Sequence, residues 1–231
     1  HITDKTRMIV LNSPNNPTGS VYSRDRLVDI AGLAKEHGLI ILTDEVYEKL
    51  IFQENEHFSI ASRSEFKDST ITVNSFSKTY AMTGWRIGYV VANDAITTGI
   101  RKIHGYMVSC APASAQKAAL EALTGPQDCI SEMVDEYEQR RDLIVKRLNE
   151  IDGFRCSPPR GTFYAFPEVS KLRLTSARIA EELLDQAKVA TIPGSAFGES
   201  GEGYLRLSFA ASQPSIQEAL DRIKAWRCQR A

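Results

Sequence analysis

Residues 70–92 read TITVNSFSKTYAMTGWRIGYVVA, and this stretch decides the fold. Thr70 to Val73 is a β-branched run that predicts a strand. It gives way to Ser75-Phe76-Ser77-Lys78, and after Gly84-Trp85-Arg86 a second apolar run, Ile87 to Ala92, predicts another strand. Toward the N-terminus, Met8 to Asn12 predicts a buried strand, ended by the turn-rich Ser13-Pro14-Asn15-Asn16-Pro17-Thr18-Gly19. Arg24 to His37 carries Leu27, Ile30, Ala31 and Ala34 at helical spacing, with Gly38 as a stop, and Leu39 to Leu42 predicts a further strand. Strands alternating with helix predict an α/β class with a mostly parallel, helix-covered sheet.

Toward the C-terminus the pattern changes. Ala113 to Leu123 predicts an Ala-rich helix after Pro112, and Cys129 to Ile151 a long charged amphipathic helix that stops near Gly153. Phe154 to Cys156, Phe163 to Phe166 and Tyr204 to Phe209 read as strands, with helices near Ser176 to Ala187 and Ser215 to Trp226. That is an α+β arrangement. A division near Gly125-Pro126 gives a large domain over residues 1–126 and a smaller C-terminal domain over 127–231.

The 231 residues are 42% hydrophobic and 25% charged, the balance of a globular protein, with a formal net charge of -1. Such a charge offers nothing to a nucleic acid or an anionic membrane surface. No apolar run approaches the roughly 18 residues that span a bilayer. Cys110, Cys129, Cys156 and Cys228 are scattered, which reads as reduced thiols in a cytoplasmic setting. His37, His57 and His104 have no metal-ligand spacing around them, so no metal is expected.

Chemistry gathers around Lys78. A lysine amine forms a Schiff base with an aldehyde. The Ser75 and Ser77 hydroxyls and Arg86 supply neutral donors and a forked cation, which is what a phosphate monoester needs. An aldehyde and a phosphate on one small molecule describe pyridoxal 5'-phosphate (PLP). Taken singly, the candidate residues have ordinary structural readings. Lys78 could be a solvated charge, Asp44 a helix cap, Tyr47 a packing aromatic, Asn16 a turn former and Arg206 an exposed strand residue paired with an acid.

Asn16-Pro17-Thr18-Gly19, Asp44-Glu45-Val46-Tyr47, Ser75-Phe76-Ser77-Lys78 through Arg86, and Tyr204-Leu205-Arg206-Leu207-Ser208 occur in this order. Together they resemble the class I/II aminotransferases, the aspartate aminotransferase-like fold-type I PLP enzymes. Gly161-Thr162-Phe163-Tyr164 and Pro193-Gly194-Ser195-Ala196-Phe197-Gly198 extend the resemblance over the whole chain.

The resemblance implies transamination between an L-amino acid, aspartate or glutamate by default, and a 2-oxo acid. It implies that Lys78 binds PLP covalently and then moves a proton at the substrate α-carbon. Asp44 would keep the pyridine nitrogen protonated, and Tyr47 and Asn16 would hydrogen-bond the phenolic oxygen. Ser75, Ser77 and Arg86 would hold the phosphate, while Arg206, with Asn16, would bind the substrate carboxylate. A homodimer is implied as well.

The first four strands are expected side by side, the last antiparallel. Because the chain opens at His1, close to its first strand, it is expected to lack the family's N-terminal part. That part carries a phosphate loop and a ring-stacking aromatic residue, so weakened cofactor binding and impaired activity are expected, with unpaired sheet edges favouring self-association. A PLP-dependent lyase or synthase of the same fold, or an inert fragment, is the alternative.

Overall fold

The computed structural model describes residues 1–52 and 55–230. In chain order its elements are β1 (Met8–Asn12), α1 (Arg24–Glu36), β2 (Ile40–Asp44), α2 (Ser64–Lys67), β3 (Thr70–Ser75), α3 (Phe76–Thr79), β4 (Gly88–Val91), α4 (Asp94–Met107), α5 (Ala113–Thr124) and α6 (Asp128–Asn149). There follow β5 (Tyr164–Ala165), α7 (Ser176–Ala187), β6 (Ile192–Pro193), β7 (Leu205–Ser208) and α8 (Gln213–Cys228). The chain divides into two compact units, His1–Pro14 with Val21–Ser131, and Asn15–Ser20 with Glu132–Ala231. Most of the turn-rich segment after β1, from Asn15 on, thus belongs to the second unit, which no local feature of its sequence signals.

The first unit is built on a sheet of order β1-β2-β3-β4. β1 and β2 pair parallel, as do β2 and β3, while β4 runs antiparallel to β3, as expected. Leu27, Ala31 and Ala34 of α1 lie on one helical face and pack with Leu11, Leu39, Ile41, Ile60 and Phe66 in one buried cluster. Ser23 starts α1 by accepting the Arg26 N–H at 3.3 Å. A second cluster joins Phe76, Met82 and Ile87 to Ala115 and Ala119 of α5. The edge strands remain open: Val10 of β1 is 67% exposed, and Tyr89, Val90 and Val91 of β4 are exposed as well.

The second unit holds a three-stranded antiparallel sheet of order β5-β7-β6, with α7 and α8 packed on each other. Ile179 and Leu183 of α7, Leu205 of β7, and Leu220 and Ile223 of α8 are almost wholly buried. Several details depart from the sequence reading: β6 was not foreseen, and β1, expected buried, covers only Leu11. Phe154 to Cys156 is no strand, only an isolated bridge from Arg155 to Glu168. α4 was not expected at all.

Among the described residues no helix is long and apolar enough to cross a membrane.

Candidate active site

The parallel register Asn12↔Asp44↔Val73 brings the carboxyl ends of β1, β2 and β3 level. In open α/β sheets, ligands bind at that end. β2 runs two residues further than predicted and ends on Asp44 itself. The Asp44 carbonyl accepts the Asn12 side-chain amide at 3.1 Å and the Ser13 N–H at 3.2 Å, and Glu45 donates its N–H to Val73 at 2.9 Å. These bonds fix the backbone from which the Asp44 carboxyl projects.

Asp44 is half-buried, and loss of water pushes its carboxyl above the usual range. A hydrogen bond from the Val46 N–H opposes the shift, and the neighbouring Glu45 charge adds to it. A desolvated acid of this kind is restored to its carboxylate form by a bound cation.

The shift also has a consequence for stability. The folded chain holds this proton more tightly than the unfolded chain does. Asp44 therefore lowers stability as pH rises from its ordinary value through its raised one. Asp44→Asn is expected to raise the ligand-free melting temperature at pH 7 slightly, by at most about 2 °C given the group's partial exposure. It should leave the temperature unchanged at pH 3, which thermal scans at the two pH values would check.

Tyr47 follows on the same turn and is 3% exposed. Lys78 Nζ lies 6.0 Å from the centre of its ring, at the outer limit of a cation–π contact. Lys78 itself is half-buried, in the last turn of α3. Ser75 caps that helix: its Oγ accepts the Ser77 N–H at 3.1 Å and lies 2.9 Å from Ser77 Oγ and 3.1 Å from the Ile87 carbonyl. Asp44, Tyr47, Ser75, Ser77 and Lys78 thus all sit where β2 and β3 end. Arg86 follows in left-handed backbone conformation, exposed, with Nη1 donating to the Thr83 carbonyl at 3.0 Å. The structure does not bring it onto the Ser75–Ser77 pair.

Sequence reading missed one support. Glu45 is 3% exposed, and its carboxylate is held by His57 Nε2 at 2.8 Å and by Ser59 Oγ at 3.0 Å. The pair anchors the turn that carries Asp44 and Tyr47. Glu48 completes a group of three possible ligand atoms within 4.8 Å of one another, but both Glu45 oxygens already have these protein partners. A twelve-residue separation across a loop leaves no periodic signal for such a contact.

In the second unit, Asn16 Oδ1 accepts a hydrogen bond from Arg206 Nη1 at 2.9 Å. Arg206 is half-buried on β7. The loop bearing Asn16 is tied at Gly19, whose carbonyl accepts the N–H groups of Arg160 and Gly161, each at 2.9 Å. Gly19 has φ +66, and a Cβ there would collide with Pro159 and come 2.8 Å from the Gly161 carbonyl oxygen. Gly19→Ala is expected to cost about 2–4 kcal/mol, combining left-handed strain and overpacking, read by denaturant unfolding.

A mostly parallel α/β unit with a lysine just beyond a strand end, followed by a smaller α+β unit, is the fold-type I architecture. The chain belongs to the aminotransferase class I and II family, whose model matches residues 1–223. It is 46% identical to an aspartate aminotransferase of Pyrococcus abyssi over 97% of its own length and 58% of that protein. It is 42% identical to aromatic-amino-acid aminotransferase 2 of Thermococcus litoralis, again over 97% and 58%. The crystal structure of an aromatic aminotransferase from Pyrococcus horikoshii superposes with a TM-score of 0.96 at 44% identity, covering 100% of this chain and 62% of that one. The chain therefore spans under two thirds of the relatives it matches.

Proposed function

We propose that the chain works in transamination between an L-amino acid and a 2-oxo acid, with PLP as cofactor. The observation that carries this reading is that Lys78, its amine 6.0 Å from the centre of the Tyr47 ring, lies just beyond the carboxyl end of β3, while a desolvated Asp44 ends the neighbouring β2. The residues present fit the cofactor: an amine for its aldehyde, an acid lacking water for its pyridine nitrogen, and paired hydroxyls at a helix start for its phosphate. PLP supplies an electron sink for the pair left behind when the substrate α-carbon loses its proton.

Lys78 attaches the cofactor and then holds and delivers that proton. Asp44 keeps the pyridine nitrogen protonated through charge pairing, and Tyr47 hydrogen-bonds the phenolic oxygen. Ser75 and Ser77 bind the phosphate, joined by Arg86 once its guanidinium leaves the Thr83 carbonyl. Arg206, steadied by Asn16, binds the substrate α-carboxylate as a two-pronged donor. Aspartate or glutamate is the proposed substrate, with aromatic amino acids next; relatives named for both support this order. A homodimer in a cytoplasmic setting belongs to the same reading. It is supported by the exposed apolar residues of β1 and β4 and by four free thiols.

The test is incubation of the PLP-loaded protein with aspartate and 2-oxoglutarate. Formation of glutamate and oxaloacetate in equal amounts is expected. Release of ammonia or carbon dioxide in place of glutamate would assign the chain to lyase chemistry.

A further inference from the structure

Arg206 lies on β7, the middle strand of its sheet, and two aromatic rings flank its guanidinium. The carbon at the head of the side chain is 4.4 Å from the ring centre of Tyr164 and 5.0 Å from that of Phe197. Tyr164 comes from β5, paired to one side of β7, where it sits opposite Ser208. Phe197 ends the short turn that follows β6, which pairs on the other side with Ile192 opposite Arg206. The two neighbouring strands thus deliver one ring each.

Neither ring is loose. Tyr164 is 8% exposed and packs on Phe163, with ring centres 4.8 Å apart. Phe197 stands edge-on to Phe166 at 6.2 Å, and Phe166 stacks on Tyr204 at 5.0 Å with 4° between the planes. A guanidinium offers five N–H donors. Within this unit Arg206 spends one of them, on the neutral Asn16 amide oxygen. An arginine serving only the fold is ordinarily neutralised by an acid, and among the described residues of the second unit no acid forms an ion pair with this one. Its orientation is fixed by π faces and an amide, which leave its charge uncancelled and most of its donors for an anion.

We propose that Tyr164 and Phe197 are positioning residues for carboxylate recognition. Their rings fix the plane of Arg206, so that its unengaged N–H edge meets a carboxylate with both prongs aligned. The proposal rests on the reading that Arg206 binds the α-carboxylate, and it adds that the ring faces, not the Tyr164 hydroxyl, set its geometry.

The experiment titrates the full chain with succinate, an unreactive carboxylate. It follows the ¹⁵N side-chain signal of Arg206, identified by its disappearance in Arg206→Lys. Succinate should move that signal in the unmodified protein. Phe197→Leu and Tyr164→Leu should each require about 3- to 30-fold more succinate, the range one cation–π contact supplies. Tyr164→Phe should titrate like the unmodified protein. Leucine variants that bind succinate normally would overturn the ring clamp while leaving Arg206 as the carboxylate site. Equal losses in Tyr164→Phe and Tyr164→Leu would overturn it by assigning the effect to the hydroxyl. An Arg206 signal that ignores succinate in the unmodified protein would sink the carboxylate reading, and the clamp with it. Phe197, 38% exposed, tolerates truncation and keeps the test open should Tyr164→Leu fail to fold.

Discussion

Lys78→Ala is expected to lower amino-group transfer by at least about 10⁴-fold, because in the proposed reaction one amine would both anchor the cofactor and move the α-proton. The structure offers it no substitute on the same turn: its neighbours in α3 are Phe76, Ser77 and Thr79, none of them an amine. Lys78→Arg sharpens the test. A guanidinium preserves a cation beside the Tyr47 ring but cannot lose its proton, so it can neither condense with an aldehyde nor accept the α-proton. Both variants should therefore fail to a similar degree in an oxo-acid formation assay, while their melting temperatures stay within a few degrees of the parent. A Lys78→Arg protein with near-parental turnover would assign Lys78 an electrostatic role only.

Asp44→Ala is expected to reduce turnover by about 10²–10³-fold, the scale for removing one preorganised electrostatic partner from a desolvated site. Burial makes this acid costly to ionise on its own, and a charged pyridine ring, in the proposed reading, would offset that cost. The loss should fall on turnover more than on substrate KM, since the pairing matters most as electrons move from the α-carbon into the ring. Asp44→Asn should lose nearly as much, even though it is expected to stabilise the ligand-free chain. That opposition between stability and turnover in a single substitution separates a role in chemistry from a role in folding. Turnover that survives Asp44→Asn would remove the acid from the chemistry.

Much of the architecture could be read because its signals are local. Leu39 and Ile41 at β2 and the face Leu27-Ala31-Ala34 of α1 are buried by the contacts that their spacing implies, whereas β1, expected buried, covers only Leu11. The motifs of Asp44 and Lys78, expected at strand ends, lie at the ends of β2 and β3, whereas Arg206 lies within β7.

What stayed hidden was of three kinds. α4 carries Ile96, Ile100, Ile103 and Met107 at helical spacing but buries none of its residues, and its two threonines and two glycines are poor helix formers. Asn93 was a further signal, its side chain capping the helix by accepting the Ile96 N–H at 2.9 Å. β6 is two residues long and contains a proline, which tells against a strand in any single-sequence reading. The Glu45–His57 anchor and the rings around Arg206 join residues far apart in sequence, and neither spacing nor composition foretells such contacts.

In the proposed reaction the cofactor is joined to the chain through the side-chain amine at position 78. Borohydride reduction of the PLP-loaded protein followed by tryptic peptide mapping tests it directly. A reduced adduct at Lys78 blocks cleavage there, so the account predicts a single labelled peptide running from Asp68 to Arg86. Label on any other lysine, with clean cleavage after Lys78, would contradict it.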